Sequence, residues 1–246
     1  MTTINYKSDF YDAVRTTSDP SAKVVVPLIM QLVQPKTVAD VGCGSGAWLN
    51  HFQKLGCKIL GFDGPWVEES QLLISKDDFI RVNLESGIEW NETFDLVISL
   101  EVAEHLPENA ADVFVASLCK MAPVIFFSAA IPGQGGTNHL NEQWQSYWIE
   151  KFKERGFECY DAIRPRIWHL NEVAVHYCQN CFIFARMPIN EVLLAGLKNY
   201  EIQYSISDVV HPRVLSDKTG PLSCSFRKFF FQFLPLYLKI RLGMTK

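Results

Sequence analysis

The sequence predicts an α/β fold: a doubly wound, mostly parallel sheet with helices on both faces and an antiparallel hairpin at its C-terminal edge. Three observations carry that expectation. From Thr37 onward, short apolar runs alternate with segments of helical periodicity, the pattern of a parallel sheet covered on both sides. The first run ends in a glycine turn, Asp40-Val41-Gly42-Cys43-Gly44-Ser45-Gly46, that leads into an apolar helical stretch beginning at Ala47. The last two runs are joined by about a dozen residues without helical periodicity, which suits a hairpin better than a crossover.

Taken in order, the stretch from about Asp9 to Val33 reads as a helix in two pieces, broken near Ser18-Asp19-Pro20, with Ser18 or Asp19 capping the second piece. Val24, Val25, Leu28, Ile29 and Leu32 give that piece one apolar face. The expected strands are 38–41, 58–62, 79–82, 94–99, 123–128 and 157–161, followed by 174–185. The expected helices cover 46–55, 66–73, 108–120 and 142–155, the last capped by Asn138 or Asn141. The organisation expected is a domain over 1–187 with an N-terminal helical cap, and a C-terminal extension over 188–246.

Composition narrows the class. With 246 residues, 48% hydrophobic and 20% charged, the chain can bury a full core. A net charge of −4 disfavours a nucleic-acid surface. Neither a cleavable leader pattern nor about 18 consecutive apolar residues is present, and seven scattered cysteines suit a reducing compartment; a cytoplasmic location is expected. Cys178 and Cys181 form a CxxC with no second pair, and read as structural thiols in a strand.

The glycine turn carries the chemistry. Its glycines let the backbone approach a ligand, and the helix start beyond it offers free N–H groups. Gly42, Gly44 and Ala47 formally satisfy a dinucleotide fingerprint, which keeps an NAD(P)-linked oxidoreductase open. Asp40 points elsewhere. A carboxylate two residues before the first glycine repels a pyrophosphate and attracts a cation. S-adenosylmethionine, with an ammonium, a sulfonium and no phosphate, fits such a loop better than NAD. Asp63, at the end of the next apolar run, is placed to accept ribose hydroxyls; the alternative is a plain Asp-Gly-Pro turn.

In such sheets ligands bind beyond the carboxyl ends of the strands. Asn83 and Leu84 follow the third strand. Leu100-Glu101-Val102-Ala103-Glu104-His105-Leu106-Pro107 follows the fourth, and a glycine-rich loop running to Trp144 follows the fifth. His105 and His139 are the histidines on these loops and the candidates for a general base. His51, His169, His176 and His211 read as surface or packing residues. Glu142 and Trp144 are the expected acceptor contacts, Trp144 as a plane for a sugar ring to stack on.

These residues resemble the class I S-adenosylmethionine-dependent methyltransferases, over about 9–187. The stretches 40–49, 94–107 and 127–144 look like one bacterial subfamily found with polysaccharide or natural-product biosynthesis. The resemblance implies a Rossmann-like sheet and methyl transfer from S-adenosyl-L-methionine to a small-molecule acceptor, a sugar or natural-product hydroxyl. It also implies residue roles. Gly42, Gly44 and Gly46 would surround the methionine part and Asp40 its amino group; Asp63 would hold the ribose, with Asn83, Leu84 and Leu100 completing the cofactor site. Asn83 stands where the pattern more often has Asp, and Val175, His176 and Cys178 also depart from it. Amine or carboxylate acceptors are the near alternatives. A metal-dependent reading, with Glu101, Glu104, His105 and His139 as ligands, resembles the small-RNA 2′-hydroxyl methyltransferases. Residues 225–242 are apolar and basic without acids, which fits a segment docking on the core, a homodimer contact or a peripheral membrane contact.

Overall fold

The computed structural model describes residues 8–189, 191–197 and 208–219. Two compact units divide the chain, Met1–Val209 and Val210–Lys246. Of the second, one helix is described, Pro212–Thr219. The segment 225–242, expected to dock or to meet a membrane, lies outside the described residues. No described helix is long and apolar enough to cross a membrane.

In the first unit, seven strands form one sheet: β1 (Thr37–Val41), β2 (Lys58–Asp63), β3 (Phe79–Arg81), β4 (Leu96–Leu100), β5 (Val124–Ser128), β6 (Phe157–Tyr160) and β7 (Phe182–Arg186). Their order is β3-β2-β1-β4-β5-β7-β6. The first five are parallel, and β7 runs antiparallel to both β5 and β6. The chain therefore reverses its direction of winding between β1 and β4, where Asp40 lies opposite Ile98. A cleft opens at such a reversal because the connections from the two strands leave to opposite sides.

Side chains alternate across the sheet as the pleat requires. Val38, Leu96, Ile98 and Phe126 face one apolar cluster, while Ala39, Val97, Ile125 and Phe127 face the other. The first cluster is covered by α1 (Ser8–Val33) and α2 (Ala47–Lys54), the second by α3 (Ala111–Met121) and α4 (Gln145–Lys153). The first unit also includes α7 (Glu191–Leu197), beyond the boundary expected at 187.

Four local expectations are corrected. The N-terminal helix is unbroken, with Pro20 and Pro27 inside it. Ala22, Val25, Val26 and Ile29 are fully buried along one face, and that packing outweighs the lost amide bonds. The helix expected over 66–73 shrinks to a single tight turn, Glu69–Gln71. Its backbone is drawn onto the glycine loop instead, where Leu73 N–H donates to Ser45 O at 2.8 Å.

The strand expected over 174–185 begins as a short helix, α6 (Val175–Asn180), and only its end is β7. A buried apolar run reads alike in both periods. Between β6 and α6 lies α5 (Arg164–Ile167). The CxxC is thus split, with Cys178 on α6 and Cys181 between α6 and β7, both fully buried free thiols. Finally, α4 begins at Gln145, not 142, and neither Asn138 nor Asn141 caps it. Asp208 does that work from 62 residues away, accepting from Ser146 N at 2.8 Å and Ser146 Oγ at 2.7 Å.

Candidate active site

At the carboxyl ends of β1, β2 and β4 lies a cavity of about 360 Å³. The turn after β1 forms its floor. Gly42 sits at φ +85°, and a Cβ there would lie 2.4 Å from Val102 Cγ2. Only glycine lets this turn pass under the loop that follows β4. Asp40 and Asp63 end their strands beside it, 3% and 6% exposed.

These two carboxylates are held differently. Asp63 Oδ2 accepts from Gly44 N at 2.7 Å; its Oδ1 accepts from Gly64 N at 2.6 Å and from Trp66 Nε1 at 3.0 Å. Burial raises its pKa, and these bonds oppose the rise. Three of a carboxylate's roughly four acceptor positions are therefore in use, leaving one for a further donor. Burial likewise raises Asp40 well above the usual carboxylate range, and the neighbouring Asp63 charge adds to it. Two buried acids side by side form a site for positive charge.

The loop after β4 bends at Glu101, whose φ of +56° is left-handed, an observed strain of the kind that gathers at functional sites. Gln134 Nε2 donates to Glu101 Oε2 at 2.7 Å, and Asn180 Nδ2 to Oε1 at 3.1 Å. The side chain is thereby tied to the covering loop and to α6. Glu104 is fully buried next to it, its carboxyl raised well above the usual range by burial and then by Glu101.

His105 and His139 meet edge to face, with ring centroids 4.8 Å apart. Burial, and then the nearby His139, pulls His105 down to about 4, so its ring is neutral near pH 7. Glu142 Oε1 accepts from His139 Nδ1 at 2.8 Å, and the same carboxylate accepts from Gly133 N at 2.7 Å and Gly135 N at 2.6 Å. Burial pushes Glu142 up, but these bonds outweigh it and hold the carboxyl below its usual range. The imidazole packs directly on Gly136, where a Cβ would lie 2.2 Å from His139 Nε2.

The cavity brings together Asp40, Gly42, Gly44, Asp63, Leu84, Leu100, Glu101, Glu104, His105 and His139. Four other expected residues stand apart from its lining. Gly46 caps α2; Asn83 spends its Oδ1 on Glu85 N at 3.1 Å; Glu142 stands behind His139; and Trp144 is 41% exposed. Glu85, Gln134 and Tyr177, which the sequence does not single out, also line the cavity, as does His176, expected only at the surface or in packing. For Tyr177 and His176 the available signal was the helical alternative for 175–180, which seats Tyr177 in the first apolar cluster and leaves the His176 ring against it at 4.3 Å. Burial lowers the pKa of His176. Trp48, at the start of α2, stacks edge-on against Tyr177 at 5.1 Å and closes that side. Among the described residues, neither Lys nor Arg lines the cavity.

A family model described as a methyltransferase domain matches residues 21–162, more than half of the chain. A ubiquinone biosynthesis O-methyltransferase of Methylobacterium sp. (strain 4-46) is 30% identical over 104 residues, covering 39% of this chain and 41% of that protein. The chain thus spans about two fifths of the length of that curated relative. Among solved structures, a sugar N-methyltransferase from Streptoalloteichus sp. is similar at a TM-score of 0.57 and 14% identity, covering 76% of this chain and 95% of that one. An amino pentose methyltransferase from Micromonospora echinaspora, solved with S-adenosylmethionine bound, is similar at 0.54 and 14%, covering 74% and 98%. At those identities the likeness is one of fold.

Proposed function

We propose that this chain, which belongs to the methyltransferase-domain family, transfers a methyl group from S-adenosyl-L-methionine to a hydroxyl of a small molecule, a sugar or natural-product alcohol. The observation that carries the reading is the buried Asp40–Asp63 pair at the cavity floor, with no Lys or Arg among the described lining residues. That donor set fits a cationic cofactor and does not fit a pyrophosphate, which removes the reason to invoke a nicotinamide dinucleotide. Asp40 is the counter-charge for an ammonium. Asp63 has one acceptor position left for a ribose hydroxyl, and its other bonds hold Gly44 of the glycine loop and Gly64 after β2 in place. Leu84, Leu100 and Val102 supply the apolar walls.

When bound, the cofactor supplies a methyl carbon activated by a sulfonium: the acceptor oxygen bonds to that carbon, the carbon–sulfur bond breaks, its electron pair stays on a now neutral sulfur, and the hydroxyl proton departs. The protein's own part is to align the acceptor and to take up its proton. His105 and His139 face the cavity together, and the Glu142 bond fixes the His139 ring for that role. An acid-lined cavity without Lys or Arg among its described residues suits a neutral acceptor and speaks against a carboxylate one. The O-methyltransferase name of the relative from Methylobacterium supports oxygen as the acceptor atom.

Calorimetry tests the reading. S-adenosylmethionine and its demethylated product should bind, and NADH should not. Labelled methyl transfer to a panel of sugars and hydroxylated aromatics then identifies the acceptor. Retention of NADH, or no binding of either form of the donor, overturns it.

A further inference from the structure

The floor of the cavity answers only part of the donor's charge. S-adenosylmethionine carries an ammonium and a carboxylate on one carbon. Asp40 and Asp63 suit the first and repel the second. The described lining holds no Lys or Arg to offset that repulsion. A carboxylate enters such a site only where several neutral donors meet it.

Donors of that kind stand at one corner, where α1, α2 and α6 line the cavity together. Trp48, in the first turn of α2, is 5% exposed, and its Nε1 is buried without a hydrogen-bond partner of normal geometry. Trp66, the other indole among the described lining residues, spends its N–H on Asp63 at 3.0 Å. A phenyl ring would serve packing alone at position 48. The indole leaves a buried donor unmatched, at a cost in stability that an acceptor atom in the cavity removes.

Tyr177 adds a second donor, its ring meeting Trp48 edge to face at 5.1 Å. Burial pushes its hydroxyl up, so the proton stays on at neutral pH; the Trp48 N–H opposes that rise, and the Glu101, Cys181 and Asp40 charges add to it. The hydroxyl is thus beside the Trp48 N–H and within the field of Asp40. A ligand with ammonium and carboxylate on one carbon requires that adjacency.

The backbone contributes as well. Gly46 brings no side chain to cap α2, and the first turn holds no acid, so its N–H groups and dipole favour an anion there. The corner is braced from outside. Ser21 Oγ donates to Thr17 O at 2.6 Å and accepts from Ala174 N at 3.0 Å, which ties α1 to the chain entering α6. His51 Nε2 lies 3.0 Å from Asp19 Oδ1 and joins α2 to α1.

We infer that the Trp48 indole N–H and the Tyr177 hydroxyl, with the first turn of α2, bind the carboxylate of the methyl donor while Asp40 binds its ammonium. The inference rests on the S-adenosylmethionine reading and deepens it, assigning two residues that read the acidic end of the donor. An arginine in their place would hold the carboxylate but repel the sulfonium; neutral donors do only the first.

The test is calorimetry on the full chain with two ligands that differ by the carboxylate alone. These are S-adenosylmethionine and its decarboxylated form, which keeps the ammonium and the sulfonium. Trp48→Phe should weaken S-adenosylmethionine about 10- to 150-fold, the range for a hydrogen bond to a charged group, and leave the decarboxylated form within about twofold. Tyr177→Phe should give the same pattern. Retained affinity for the decarboxylated form shows that each variant folds with its cavity intact. Asp40→Asn, by contrast, should weaken both ligands, because both carry the ammonium. Should Trp48→Phe not fold, Tyr177→Phe, which removes only a hydroxyl, decides alone. Folded variants that bind S-adenosylmethionine as wild type does, or that lose both ligands alike, overturn the inference and leave the two rings to packing. Wild-type chain that binds neither ligand sinks the functional reading, and the carboxylate site with it.

Discussion

Asp40→Asn removes one buried negative charge with little change of shape, and it should move stability and affinity in opposite directions. A carboxyl raised by folding holds its proton more tightly in the folded state. Its contribution to stability is full below the unfolded value, near pH 4, and is lost as pH rises through the folded value. Near neutral pH the ionised group is therefore a burden on the empty protein. The groups facing it, the Asp63 carboxylate, the Cys43 thiol and the Tyr177 hydroxyl, supply no positive charge. Asn removes the burden, and a gain of about 1 kcal/mol raises the melting temperature of a chain this size by about 2–4 °C. With the cationic donor present the sign reverses. A charge-assisted hydrogen bond is worth about 1.5–3 kcal/mol, or about 10- to 150-fold in affinity. Wild-type affinity should also rise with pH through the raised Asp40 value, and that slope should vanish in the variant.

Asp63→Asn is the control for this reasoning. It makes the same change of charge but breaks the bonds to Gly44, Gly64 and Trp66, so it should lower the melting temperature of the empty protein as well as the affinity. Thermal unfolding without ligand and calorimetry across pH read both quantities. If Asp40→Asn destabilises the empty protein, or leaves donor affinity within about twofold of wild type, the electrostatic account of the cavity is wrong.

Three further outcomes follow from particular contacts. Gly42→Ala places a methyl 2.4 Å from Val102 in a left-handed turn, costing about 1–2 kcal/mol for the backbone alone; donor binding should be lost by calorimetry and partly recovered when Val102→Ala is added. Glu142→Gln should leave donor affinity unchanged and slow labelled methyl transfer by at least about tenfold, because His139 loses the carboxylate that orients it. Arg164→Met breaks the paired bonds to Asp161 at 2.9 and 2.8 Å, the bond to Gln179 O, and the stacking over Phe182 at 4.0 Å. Urea unfolding should show a loss of about 2–4 kcal/mol, less than for a wholly buried pair because Asp161 stays partly exposed.

What the chain's one-dimensional pattern determined is the sheet and the floor of the site. Asp40, Gly42, Gly44 and Asp63 are legible because strand, glycine turn and strand-end acid lie close together in sequence, and local backbone geometry alone places them. Alternating apolar runs likewise located the strands, since burial on both faces leaves a plain signature. Tertiary structure decided everything that depends on long-range contacts. The helix through Pro20 persists because its buried face packs on the core, and α4 starts where Asp208 satisfies its first turn. Residues 175–180 wind into a helix although the same apolar run could have been a strand. Above all, Glu104 stands without hydrogen-bond partners of normal geometry beside two imidazoles because loops from two different strands converge there. Whether a buried acid has donors is a property of space, and no spacing along the chain encodes it.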